Sequence, residues 1–464
     1  MKEKLTKIVS LLHLKLSDLF FAIGFIPMAV FLINGQLFMQ YPNPEDVSLK
    51  LEAIIPLFVI LVICWGIYIF LENRIGNKEN RYITATFVLL TIIGIIGILI
   101  QPSIFIIEFT KSDGDISTVG LTISPTHYVF FIFDIISIIL LIYIGVFILP
   151  KRFTNIKVIQ FVGYILFLFS FVLIIYSLIT EFENYKGFIS TIISKEYFAL
   201  NWYSVKSFII HKNAFGMVLL IAIIFCYINH SISKKWFYFP LSFLFFIFMI
   251  FTYCKTSIII APIISIIYFY FSLIQNYKNH QRRRNLILLI LLSLFLAVGV
   301  SIFAISFITD GFAKQLYESL FVLNDGTTLN ARESIWSNTY QLVAQTLPTS
   351  LFFGRGFGLV NEMLLPMNIA NGDNQLSFPT HNGFLNLFAE GGLPYLFAYL
   401  ILLGYVTYIA FKSFEKNPST TLAIALGLFS FVFYSLIETI HYLTYVFMLV
   451  LLAFYHSQEM QQKN

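Results

Sequence analysis

Charge is scarce in this sequence. Asp, Glu, Lys and Arg make up 11% of its 464 residues, less than half of the roughly 25% usual in soluble domains, and that excludes a fold whose whole surface faces water. Cysteine is sparse too. Cys64, Cys226 and Cys254 all lie inside or at the ends of apolar runs, which excludes a disulfide framework. Ten-residue segments of alternating polarity are also lacking, and this excludes a closed membrane β-barrel. The formal net charge of +5 reflects short basic segments between apolar runs, so it gives no reason to expect nucleic acid as a partner.

What fills the chain is hydrocarbon. Hydrophobic residues make up 58% and the mean hydropathy is +0.83. At about 20 apolar residues per crossing, the runs predict an all-α, polytopic membrane protein with about twelve spans. They lie near residues 19–34, 51–71, 82–100, 128–149, 158–180, 214–229, 237–253, 257–275, 286–308, 384–411, 421–437 and 440–455. With both termini cytoplasmic, nineteen of the 29 basic residues fall on inner segments, among them Lys2, Lys4, Lys7 and Lys15 before the first run and Arg282, Arg283 and Arg284 before the ninth. That is the positive-inside distribution. The first run has no small-residue cleavage site before it and reads as a signal anchor. The expected domain organisation is one integral membrane domain over 1–464, with a shorter extracytoplasmic segment at 181–213 and a long one at 309–382 between spans nine and ten.

The long segment is polar yet carries Ile335, Trp336, Tyr340, Leu342 and Phe357, which predicts a packed, partly helical loop. A helix is expected over 331–344, with Arg332, Ile335, Trp336 and Thr339 on one face. Outer-face ionisable residues beside spans are the candidate site, because such groups are expensive at membrane depth. They are His211, Lys212, Lys255, Arg332, Arg355 and His381. A set this rich in cations suits a phosphate-bearing substrate. Asp113-Gly-Asp115 has the form of a metal-binding pair but reads more simply as a turn. Gly354-Arg-Gly-Phe-Gly358 lacks the flanking strand and helix of a nucleotide fingerprint. Asp134, alone in a span, fits a helix–helix hydrogen bond as well as a proton relay. No metal and no cofactor is expected.

Four stretches resemble the O-antigen ligase and polymerase family of bacterial envelope glycosyltransferases. These are Ser207-Phe-Ile-Ile-His-Lys-Asn-Ala-Phe-Gly216, Tyr253-Cys-Lys-Thr-Ser257, the pair Asn330-Ala-Arg-Glu-Ser-Ile-Trp336 and Phe353-Gly-Arg-Gly-Phe-Gly358, and Thr380-His-Asn-Gly-Phe-Leu-Asn-Leu-Phe-Ala-Glu-Gly-Gly392. In the ligase form of the last motif a glycine stands where this chain has Tyr395, and Lys255 stands where ligases commonly carry Arg; the His-Lys-Asn stretch is closer to polymerase-type members. The resemblance implies inverting transfer from a polyprenyl-pyrophosphate-linked oligosaccharide to a glycan acceptor, on the outer face of the bacterial cytoplasmic membrane. Membrane lipids, a flippase and a chain-length regulator are the partners it implies. His381 would be the general base and Arg332 the grip on the departing pyrophosphate. Lys255, Arg355, Lys212, His211, Asn382, Glu390 and Trp336 would bind pyrophosphate or glycan. Ligase-type transfer to a lipid, wall or protein acceptor is the alternative, and a transporter for the same lipid-linked glycan is a third reading; the absence of a repeated pair of halves speaks against that one.

Overall fold

The computed structural model describes residues 59–71, 79–111, 114–152, 155–209, 212–278, 329–370, 380–437 and 442–463, with a few single positions elsewhere. In chain order these form α1 (Val59–Leu71), α2 (Glu79–Leu99), strands β1 (Ile104–Thr110) and β2 (Ile116–Thr122), and α3 (Pro125–Tyr143). There follow α4 (Ile156–Thr180), α5 (Phe182–Ser194), α6 (Lys212–Ser233), α7 (Tyr238–Phe251), α8 (Lys255–Lys278) and α9 (Leu329–Ala344). The last five are α10 (Thr349–Phe353), α11 (Leu359–Ala370), α12 (Gly383–Lys416), α13 (Pro418–Ser435) and α14 (Tyr442–Lys463). Seven described helices are long and apolar enough to cross a membrane, so the chain is a mostly helical, multi-pass membrane protein. Ten of the expected spans correspond to described helices; those expected at 19–34 and 286–308 lie almost wholly outside the described residues.

The sequence reading did not foresee the hairpin. Between α2 and α3, β1 and β2 pair antiparallel from Ile104↔Thr122 to Thr110↔Ile116. The local cause is plain afterwards. Two seven-residue stretches rich in Ile, Val, Phe and Thr flank Lys-Ser-Asp-Gly-Asp, in which Gly114 takes φ 91° and Lys111 and Asp115 close the turn. Gly114 and Asp115 of the Asp-x-Asp stretch therefore belong to the hairpin turn; Asp113 lies outside the described residues.

Packing divides the chain into two compact units, each assembled from separate stretches. The first holds residues up to 148, 332–403 and 435–440. Its core is built on the inward face of the hairpin, where Phe105, Ile107 and Phe109 meet Ile98, Phe131, Leu342, Val360 and Met363. Gln341 and Gln345, one helical turn apart, reach the open edge of β1. Gln341 accepts from the Thr110 N–H at 2.8 Å and donates to the Thr110 carbonyl, and Gln345 donates to the Glu108 carbonyl. This contact requires that the 101–124 connection and the end of α9 lie on the same side of the membrane. The second unit centres on α6, whose residues from Phe215 to Ser231 are almost all buried against its neighbours.

The two faces of β1 give a direct check. Ile107 is fully buried and Ile106 is 77% exposed. Ile107→Ala is expected to destabilise the purified protein by about 2–5 kcal/mol and Ile106→Ala by well under 1 kcal/mol, read as midpoints of unfolding in mild detergent.

Candidate functional site

In the first unit the site begins with an interruption in α12. At Gly392 the backbone leaves the helix, with φ 71° and ψ −170°, and Pro394 follows with no N–H to offer the carbonyl four residues earlier. The carbonyls of Ala389 and Glu390 are thereby released from the helical ladder. The 354–358 loop satisfies them. Arg355 N–H donates to Ala389 O at 2.7 Å and Gly356 N–H donates to Glu390 O at 3.1 Å. Gly354 (φ 66°) and Gly392 face each other so closely that a Cβ on Gly392 would sit 3.0 Å from the Gly354 nitrogen, and one on Gly354 would collide with the Glu390 carbonyl. Both the left-handed backbone and the close approach therefore demand glycine. The Glu390 carboxylate then turns inward to accept from Gly358 N–H at 3.2 Å. Tyr395 closes the far side of the break, its ring tilted against Phe357 with centroids 4.6 Å apart and its hydroxyl donating to Leu90 O at 2.6 Å.

At the other end of the same helix stands His381. It is half-buried and holds φ 47°, a left-handed conformation that a non-glycine residue keeps only when its surroundings enforce it. The enforcement comes from both neighbours. Trp336 Nε1 donates to Thr380 O at 2.9 Å, and Thr380 Oγ1 bonds Asn382 O and Asn386 Oδ1. Asn382 caps α12 by accepting from the N–H groups of Phe384 and Leu385 at 3.0 Å each. So Trp336, Asn382 and Glu390, the last expected either to support the site by hydrogen bonding or to be structural, each commit a polar group to the protein's own backbone. Their contribution here is to fix where His381 and the 354–358 loop stand. Thr380, Asn386 and Pro394 complete this framework, and the sequence reading missed them.

The second unit brings Lys212 and Lys255 together. Each is the first residue of a long helix, α6 and α8 respectively, and their Nζ atoms lie 5.3 Å and 5.7 Å from the centroid of the same ring, Tyr253. Lys212 also donates to Asn201 Oδ1. Tyr253 has φ 52°, and Gly216 allows α6 to lie against Cys254 and Thr252, where any Cβ would be 2.5 Å from the Cys254 Cβ. Glu181 holds the start of the first motif by accepting from the N–H groups of Lys206 and Ser207 at 3.0 Å and 2.6 Å. Two ammonium groups and two helix N-termini around one ring make a cationic corner suited to an anion. The sequence reading placed Tyr253 in a motif but gave it no part in the site.

Arg332 belongs to α9 in the first unit, but its side chain lies outside the described residues, as does all of His211. Arg355 is 4% exposed and its Nη1 donates to Thr346 Oγ1 at 2.8 Å. It faces the hairpin through a cation–π contact with Phe105, 5.7 Å from the ring centroid.

The capping role of Asn382 predicts a graded response. Asn382→Ala is expected to cost about 1 kcal/mol of stability, and Asn382→Asp to restore most of it. Thermal unfolding of the purified variants reads both.

No curated protein and no solved structure matches the chain. Residues 240–400 match the family model described as O-antigen ligase. That stretch, about a third of the chain, is similar to the O-antigen ligase family, and it contains Tyr253 and Lys255, the Arg332 to Trp336 segment, the 354–358 loop, His381 and the interruption in α12.

Proposed function

We propose that this protein is a polysaccharide polymerase of the bacterial cytoplasmic membrane, joining oligosaccharide repeat units carried on polyprenyl pyrophosphate at the membrane's outer face. His381 takes the proton from the acceptor hydroxyl as that oxygen attacks the anomeric carbon of the donor. The bond to the pyrophosphate breaks with inversion, and the anion leaves on its lipid. Arg332, Lys212 and Lys255 neutralise that anion, and Arg355 binds the substrate as well. A flippase would supply the donor and a chain-length regulator would limit the product.

The observation that carries the reading is the handling of His381. An imidazole is held in a costly backbone conformation by Trp336 on one side and by the cap of α12 on the other, within a stretch similar to O-antigen ligases. Strain of this kind is maintained at functional sites, and a positioned imidazole is the usual group for proton transfer near neutral pH. The cationic corner at Lys212, Tyr253 and Lys255 supports a leaving group of high negative charge. The second reading, ligase-type transfer to a different lipid, wall or protein acceptor, uses the same chemistry and is favoured by the family description itself.

Incubating the purified protein with defined lipid-linked repeat units separates them. A ladder of products is the expected outcome, whereas one transfer to another acceptor supports the ligase. Either result in detergent, where no membrane separates two compartments, excludes transport as the primary role. His381→Ala is expected to lower the rate about 10²- to 10⁴-fold. Lys255→Gln should lower turnover more than Lys255→Arg, because the latter keeps the charge. Undiminished polymer from His381→Ala would remove the base.

A further inference from the structure

Beside the hairpin, the first unit has an open cavity of about 740 Å³, within the range of small-molecule sites. Its lining includes Ile104 and Ile106 from the exposed face of β1, the edge of the core-facing Phe105, and Arg355 and Thr346. Arg355 is incomplete as it stands. Its Nη1 is bonded to Thr346, while its buried Nε has no hydrogen-bond partner. A buried donor left unmade costs about 1–3 kcal/mol, and more for a charged group. Burial lowers this guanidinium only to about 10, so it is cationic at neutral pH. The cavity's own acid, Glu108, is exposed and makes no ion pair with Arg355 among the described residues. The unused Nε edge of an arginine is the side that grips a carboxylate through two parallel bonds.

The position of the cavity selects the ligand. Gln341, on its wall, lies five residues along α9 from Trp336, the residue that pins Thr380 beside His381. At 1.5 Å per residue that is about 8 Å of helix, a separation that a short saccharide spans and a group reacting at His381 does not. We propose that this cavity is a saccharide subsite for an acidic sugar of the glycan, its carboxylate held by the Nε edge of Arg355 and its ring resting on Ile104 and Ile106. This rests on the reading of the protein as a lipid-linked glycan transferase, and it removes Arg355 from the pyrophosphate contacts.

The test uses the full chain in phosphatidylcholine nanodiscs, with digalacturonate and its neutral counterpart galactobiose as probes. Digalacturonate is expected to bind at least tenfold more tightly, and Arg355→Gln to abolish that preference. Ile106→Trp, a substitution at an exposed position and so compatible with folding, should fill the cavity and abolish binding even if Arg355→Gln fails to fold. Equal affinity for the two probes, a preference that survives Arg355→Gln or binding unaffected by Ile106→Trp overturns the proposal. Displacement of digalacturonate by inorganic pyrophosphate also overturns it, by returning Arg355 to the lipid carrier. Transfer with lipid-linked repeat units is scored separately, so a protein that discriminates the two probes but transfers nothing counts against the catalytic reading and not against the subsite.

Discussion

A carbonyl deprived of its donor organises the first unit. Pro394 cannot return a hydrogen bond to Glu390, and a bare carbonyl buried among apolar side chains is not tolerated. The chain answers with a second segment. Residues 354–358 lay their own N–H groups against the broken turn, and because only glycine fits where the two backbones meet, the sequence of the loop follows from the geometry of the helix it repairs. The repair also determines where the side chains go. With the backbone of Arg355 fixed to Ala389, its guanidinium points to the hairpin; with the Glu390 carbonyl occupied, its carboxylate is left to hold Gly358.

The second unit meets a related problem by another route. Concentrating positive charge beside apolar helices is unfavourable unless each cation has a polarisable or polar neighbour. Tyr253 supplies one ring to two amines, and Asn201 supplies an amide oxygen to one of them. Both helices begin at their lysines, so the free N–H groups of two first turns face the same neighbourhood as the ammonium groups. The left-handed positions at Ser207, Tyr253 and His381, together with those of the 354–358 loop, fall within the four motif stretches. The motifs are therefore legible as backbone requirements as much as chemical ones.

Much of this was readable from the chain alone. Long runs of Ile, Leu and Phe give helices by length, and ten expected spans correspond to described helices because the bilayer constrains that dimension strongly. The helix carrying Trp336 was visible from its periodicity and begins two residues earlier than expected. The hairpin was passed over because a short apolar segment between two spans is easily absorbed into them, although its β-branched residues around an Asp-Gly turn were a sufficient signal. At the site, residue types marked the motif stretches but not the hydrogen bonds made within them. A polar residue in a motif such as Asn382, Glu390 or Trp336 carries no mark of which backbone groups its side chain holds. Only the cap at α12, the bond to Thr380 O and the bond to Gly358 N–H reveal it.

The two glutamines that reach β1 have an effect beyond joining helix to strand. A two-stranded ribbon has an outer row of peptide groups on each strand, and such a row can recruit strands from other molecules. Gln341 and Gln345 occupy that row at Thr110 and Glu108 with side-chain amides in place of a third strand. On the β1 side the ribbon is thus denied to an incoming strand at these two positions, by the same helical segment that carries Trp336.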